Sequence, residues 1–130
     1  MRFLVVAADP DVRETMALAV RSVRRSLAEP VEFLEAPDGL IGARLAWRYL
    51  PDVVVADEIT SRAGAFALAK ELTGAADPFP GRIVILLERP HDAWLARWSG
   101  ADAWFVKPVD PFELADTVSR LVGESDREAV

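Results

Sequence analysis

Asp57 closes the stretch PDVVVAD, and Lys107 follows the apolar residues of GADAWFVKP. Each charged group stands where a short apolar run ends, which is where a buried strand would surface. If both runs belong to one sheet, an acid and an amine approach each other at a common edge, and an ion pair between them is the plainest outcome. Other chemistries find less support. There is no cysteine, so neither a disulfide framework nor a thiolate metal site can form. His91 is the single histidine, has no partner triad and reads as a surface residue rather than a catalytic base. GLIG at 39–42 has the wrong spacing for a phosphate-cradling loop and falls inside a helical pattern, and no nucleophile elbow is present.

The elements that must position Asp57 and Lys107 are legible in the apolar spacing. Phe3 to Ala8 is a continuous apolar run, as a strand buried on both faces requires, and Asp9 and Pro10 stop it. From Asp11 to Leu27, Val12, Met16, Ala19, Val20, Val23 and Leu27 recur at helical spacing with arginines between them. Val31 to Leu34, bracketed by Glu32 and Glu35, reads as an edge strand. A helix over Leu40 to Leu50, a strand over Val53 to Ala56 and a helix through Phe66 to Leu72 follow. Ile83 to Leu87 is entered through the turn-forming DPFPG and leads into a helix opened by Pro90. Ala103 to Val106 is the last strand, Pro111 begins the last helix on Leu114, Val118 and Leu121, and the tail GESDREAV reads as frayed. Five strand–helix units with short connections predict a parallel sheet covered by helices on both faces, with ligands at the strand ends.

Composition bounds the rest. A chain of 130 residues holds one core, and 52% hydrophobic against 28% charged residues is a folding composition rather than a disordered one. The net charge of −6 disfavours nucleic acid, although Arg21, Arg24 and Arg25 could form a local basic patch. Phe3 to Ala8 is too short for a signal-peptide core or a membrane span, so a cytoplasmic protein without membrane contact is expected.

With Asp57 ending the third strand and Lys107 the fifth, the chain resembles the receiver (response-regulator, chemotaxis-type) domain family of two-component signalling over residues 1–122, with 123–130 as a polar tail. The resemblance implies a three-layer, flavodoxin-like doubly wound sheet of five parallel strands in the order 2-1-3-4-5. It makes Asp57 the phosphoacceptor equivalent, Lys107 the phosphate-contacting residue and Pro108 the cis proline that follows it. Gly100, Ala101 and Asp102 fit the turn before the fifth strand.

Several positions depart from that pattern. The family places two adjacent acids at the end of strand one to hold Mg²⁺; here they are Ala7 and Ala8, with Asp9 one place late. Leu87 replaces the serine or threonine that hydrogen-bonds the phosphoryl group. Ser61 stands where a proline often follows the acceptor loop, and Glu88 where a small residue leaves room for the phosphoryl group. Mg²⁺ demands near-octahedral oxygen ligands, and phosphoryl transfer relies on such cations to offset charge on the equatorial oxygens, so Asp57 is expected to be a poor acceptor. Asp9 reads better as a helix cap than as a metal ligand, and Glu88 better as a solvated or paired carboxylate.

The resulting expectation is a degenerate, stand-alone receiver-like module, not an enzyme, with no cofactor, acting through protein contacts. The alternative is a working phosphoacceptor in which Asp9, Glu58 or Glu88 rebuilds a Mg²⁺ site; a small α/β enzyme or nucleotide binder ranks last. Trp94 and Trp98, four apart on one helix, share a face, and Trp104 follows on the fifth strand. They are read as an exposed patch for a protein partner or homodimer on the helix 4, strand 5, helix 5 face, which is the family's partner face.

Overall fold

The structure is a computed structural model that describes residues 1–24, 30–58, 60 and 63–129. Strand β1 (Arg2–Val6) pairs in parallel with β2 (Glu32–Ala36) on one side and β3 (Val53–Asp57) on the other, and β4 (Arg82–Leu87) and β5 (Ala103–Val106) complete the sheet. The spatial order is 2-1-3-4-5, the doubly wound, flavodoxin-like order expected from the resemblance.

Residues alternate between the two faces of the sheet, and both faces are covered, which is why the strands read as unbroken apolar runs. Phe3, Val5, Val53, Val55, Val84 and Leu86 meet Met16 and Ala19 of α1 (Pro10–Arg24) and Leu114, Val118 and Leu121 of α5 (Pro111–Ala129). Leu4, Val6, Val54, Ala56, Ile83, Ile85 and Leu87 form the other core. It is closed by α2 (Gly39–Tyr49), α3 (Ala65–Thr73) and α4 (Ala93–Ser99) through Ala43, Ala46, Leu68, Leu72 and Ala96. Two apolar cores thus grip the sheet from both faces.

Local devices set the boundaries. Buried Asp38 accepts from the Ile41 amide at 2.9 Å and starts α2. Gly100 ends α4 in the left-handed region at φ 86°, and a Cβ there would stand 2.8 Å from Thr73 Oγ1, so the turn both demands and encloses a glycine. Two residues on, Asp102 Oδ2 accepts from the Ile83 amide at 2.7 Å, which sets the start of β5 against β4.

Some boundaries differ from the sequence reading. β2 runs Glu32–Ala36 rather than Val31–Leu34, because it pairs residue for residue with Arg2–Val6 and its buried Ala36 carbonyl accepts from the Ala7 amide at 3.0 Å. Pro90 opens a 3-10 turn (Pro90–Asp92), not the helix itself, and α4 is a short Ala93–Ser99. α5 continues to Ala129, through the segment read as a frayed polar tail. Arg25, Leu27, Ser61 and the side chain of Arg24 lie outside the described residues; Arg21 stacks its guanidinium over the Phe33 ring at 5.4 Å. Among the described residues, no helix is long and apolar enough to cross a membrane.

Candidate functional site

The carboxyl ends of β1, β3, β4 and β5 form one edge, and the pairing register brings Asp57 beside Leu86 and Leu87 beside Val106. Asp57 is only 3% exposed. Lys107 leaves β5 after Val106, and its amide donates to the Leu87 carbonyl at 2.9 Å, so its stem starts from a fixed backbone. Its Nζ donates to Asp57 Oδ1 at 2.7 Å and lies 2.8 Å from Glu88 Oε2. The Lys107–Pro108 peptide is cis.

One ammonium therefore serves two carboxylates. Burial by itself would lower the Lys107 pKa, but the hydrogen bonds to Asp57 and Glu88, and the charges of both, outweigh it and hold the lysine above its usual value of 10.5. The ammonium is locked in its charged form throughout the physiological range.

A third acid, Glu58, braces this arrangement. Its amide donates to the Leu86 carbonyl at 2.9 Å and its Oε2 accepts from the Glu88 amide at 2.6 Å, so the loops after β3 and β4 are tied at both main chain and side chain. Burial pushes the Glu58 pKa above 4.5. The Glu88 amide pulls it back, and the neighbouring Asp92 carboxyl and the Glu88 charge push it up again. The sequence offered Glu58 only as one of three acids that could rebuild a Mg²⁺ site, not as a brace between the loops, and Asp92 carried no signal at all, because their proximity depends on how the loop after β4 folds back.

The remaining positions are placed as follows. Ala7 is fully buried in the core beneath α1 and α5, while Ala8 is exposed. Asp9 Oδ1 accepts from the Asp11 amide at 2.9 Å and its carbonyl accepts from the Arg13 amide, so it caps α1. Leu87 is fully buried in the core under α2, α3 and α4. His91 is exposed in the 3-10 turn.

Trp94 and Trp98 stand out from α4, 62% and 55% exposed, and the Lys70 ammonium of α3 lies 4.6 Å from the Trp98 ring. Trp104 does not join them. It packs, partly buried, against the Leu4–Leu87 core with the Arg97 guanidinium over its ring at 5.7 Å. Opposite Ile85, it joins the face of the sheet that holds Ile85 and Leu87; Val106, two residues on and so on the same face, is exposed where the strand ends, as is Phe112 at the start of α5.

A magnesium ion at this edge would need oxygen ligands beside Asp57. The exit of β1 offers two methyl groups, Asp9 is spent on a helix cap, and Asp57 and Glu88 are bound to an ammonium. Among the described residues, no three histidine, cysteine, aspartate or glutamate side chains are grouped to hold a metal. The donor set does not fit the ion.

A doubly wound α/β sheet with an acid ending β3 and a lysine ending β5 defines a receiver-type domain. The chain belongs to the response-regulator receiver family. It is 30% identical over 122 residues to an uncharacterized response regulatory protein of Mycobacterium tuberculosis, covering 94% of this chain and 91% of that one. No protein-family model matches the chain. The fold is that of the receiver domain of the Francisella response regulator 1452, at a TM-score of 0.81 and 20% identity, covering 95% of this chain and 98% of that one. It is also that of the receiver domain of a Pseudomonas aeruginosa sensor histidine kinase with a magnesium ion coordinated in its active-site cleft, at a TM-score of 0.79 and 18% identity over 94% of this chain and 97% of that one.

Proposed function

We propose that this receiver signals through protein contact without an aspartyl phosphate, its Asp57 held in a standing ion pair by Lys107. The observation that carries the reading is the pairing of Asp57 and Glu88 with one ammonium, at 2.7 and 2.8 Å, next to a β1 exit made of Ala7 and Ala8. A phosphoryl group on Asp57 would bring charge into an edge already holding Glu58, Glu88 and Asp92, with Lys107 committed to two carboxylates and no metal ligands to add a second cation. Leu87, buried where the family has its switch hydroxyl, supplies no hydrogen bond to report a phosphoryl group. The acids that could rebuild a metal site are engaged elsewhere: Asp9 caps α1, Glu58 accepts from the Glu88 amide and Glu88 binds Lys107.

The module performs no reaction of its own and works as an interaction protein. Its contact surface is the α4, β5, α5 face, where Trp94, Trp98, Val106 and Phe112 are exposed, and either a protein partner or a second copy of the chain covers it. A Mg²⁺ titration followed by tryptophan fluorescence tests the metal half of the reading, since Trp104 lies three residues before Lys107. No response up to tens of millimolar is expected; a saturating response below that range would reinstate a metal-dependent phosphoacceptor.

A further inference from the structure

A cavity of about 530 Å³ opens at the same sheet edge, lined by Lys107 but not by Asp57, Glu58 or Glu88, between the first residues of α1 and those of α5. Its walls are Val12 and Met16 of α1, Leu114 of α5, Val109 before it, and Leu86 beneath. The volume is that of a small-molecule site, and such a lining offers dispersion and dry surface but no hydrogen bonds.

The polar groups at its mouth decide what could enter. Thr15 lines it, but its hydroxyl donates to the Asp11 carbonyl at 3.0 Å. Lys107 lines it too, but its ammonium is shared by Asp57 and Glu88. The positive poles of the two helix starts are already answered by the chain's own acids, Asp9 Oδ1 on the Asp11 amide and Asp110 Oδ1 on the Phe112 amide, both within 2.9 Å. Asp11 is the group left over. It lines the cavity, is exposed, and among the described residues has no cation within ion-pair distance of its carboxylate. The mouth is therefore acidic, in a chain of net charge −6, and the one cation among the residues lining it, Lys107, is already shared by two carboxylates.

We propose that this cavity binds a small amphipathic amine, its apolar body between α1 and α5 and its ammonium on the Asp11 carboxylate. This goes beyond the silent-switch reading and does not depend on it, because no residue of the proposed contact is the phosphoacceptor equivalent.

Three size-matched probes test it: 2-phenylethylamine, 2-phenylethanol and 3-phenylpropionate, titrated into methyl-labelled protein. The amine is expected to move the Met16 and Leu114 methyl resonances saturably, binding about tenfold tighter than the carboxylate. Asp11→Asn, an exposed and near-isosteric change, is expected to bring the amine down to the affinity of the alcohol while leaving the alcohol unchanged. The proposal is overturned if none of the three probes moves those methyls, if the carboxylate binds as tightly as the amine, or if Asp11→Asn leaves the amine's advantage intact.

Discussion

Lys107 Nζ sits 2.7 Å from Asp57 Oδ1 although fifty residues separate them, and the same nitrogen lies 2.8 Å from Glu88 Oε2. The two bonds are unequal in consequence. Asp57 is buried, whereas the Glu88 side chain is half exposed, so loss of the lysine is felt chiefly through Asp57.

Lys107→Met keeps the stem and removes the charge from beside a buried carboxylate. It is expected to destabilise by about 3 kcal/mol, the low end for breaking a buried pair, because about a quarter of the lysine remains open to water. Asp57→Asn leaves Lys107 its bond to Glu88 and retains an acceptor oxygen, so its cost is expected near 1 kcal/mol. Urea denaturation of the two variants at neutral pH checks the order, which reverses if Asp57 does not depend on the ammonium.

Glu58 gives the site a pH signature. Its folded-state pKa is raised above 4.5, mainly by burial, so the folded chain binds a proton more readily than the unfolded one. That contribution to stability is present in full below the unfolded value and is lost as pH rises through the higher folded value. Glu58→Gln keeps an oxygen for the Glu88 amide and cannot ionise. Relative to the parent it is expected to gain stability as pH climbs from below 4.5, then level off. Urea midpoints measured from pH 3.5 to 7.5 read this directly, and a gain that shrinks with rising pH would contradict it.

Restoring the family's residues should cost according to where each side chain points. Leu87→Thr trades a fully buried leucine for a smaller side chain with a hydroxyl in an apolar core, an expected loss of about 2–3 kcal/mol. Ala7→Asp puts a carboxylate into the core under α1 and α5 and is expected to destabilise strongly, while Ala8→Asp, on an exposed position, stays within about 0.5 kcal/mol of the parent. In the double variant, Mg²⁺ is expected to raise the melting temperature where it leaves the parent unchanged.

The tryptophans separate contact from core. Trp104→Ala is expected to cost about 2–3 kcal/mol, since it removes a ring packed on the core beneath Arg97. Trp98→Ala loses only a surface cation–π contact with Lys70, about 0.5–1 kcal/mol, and Trp94→Ala loses less. Charged variants at 94 and 98 should instead abolish partner capture or dimerisation, read by pull-down and by light scattering, with the fold intact by circular dichroism.

Much of this was legible from the residues alone because the strands are short, apolar and followed at once by charge. A run such as VVVAD needs burial on both faces, and that requirement fixes a parallel sheet and brings Asp57 to its edge. What the sequence withheld depends on pairing and on loops. β2 starts one residue later and ends two later than its composition suggests, because its register answers to β1. Trp104 turned inward because its strand phase, set by Ile85 opposite, outranks its resemblance in type to Trp94 and Trp98. Glu58 and Asp92 meet only because the 3-10 turn after Pro90 returns the chain toward β3, and no local pattern announces that.

The central claim is that Asp57 is held by Lys107 and does not receive a phosphoryl group. Incubation with acetyl phosphate and Mg²⁺, followed by intact-mass spectrometry beside an Asp57→Asn control, tests it most directly. The account predicts that parent and control remain equally unmodified; stoichiometric, Mg²⁺-dependent phosphorylation of the parent that disappears in Asp57→Asn would contradict it.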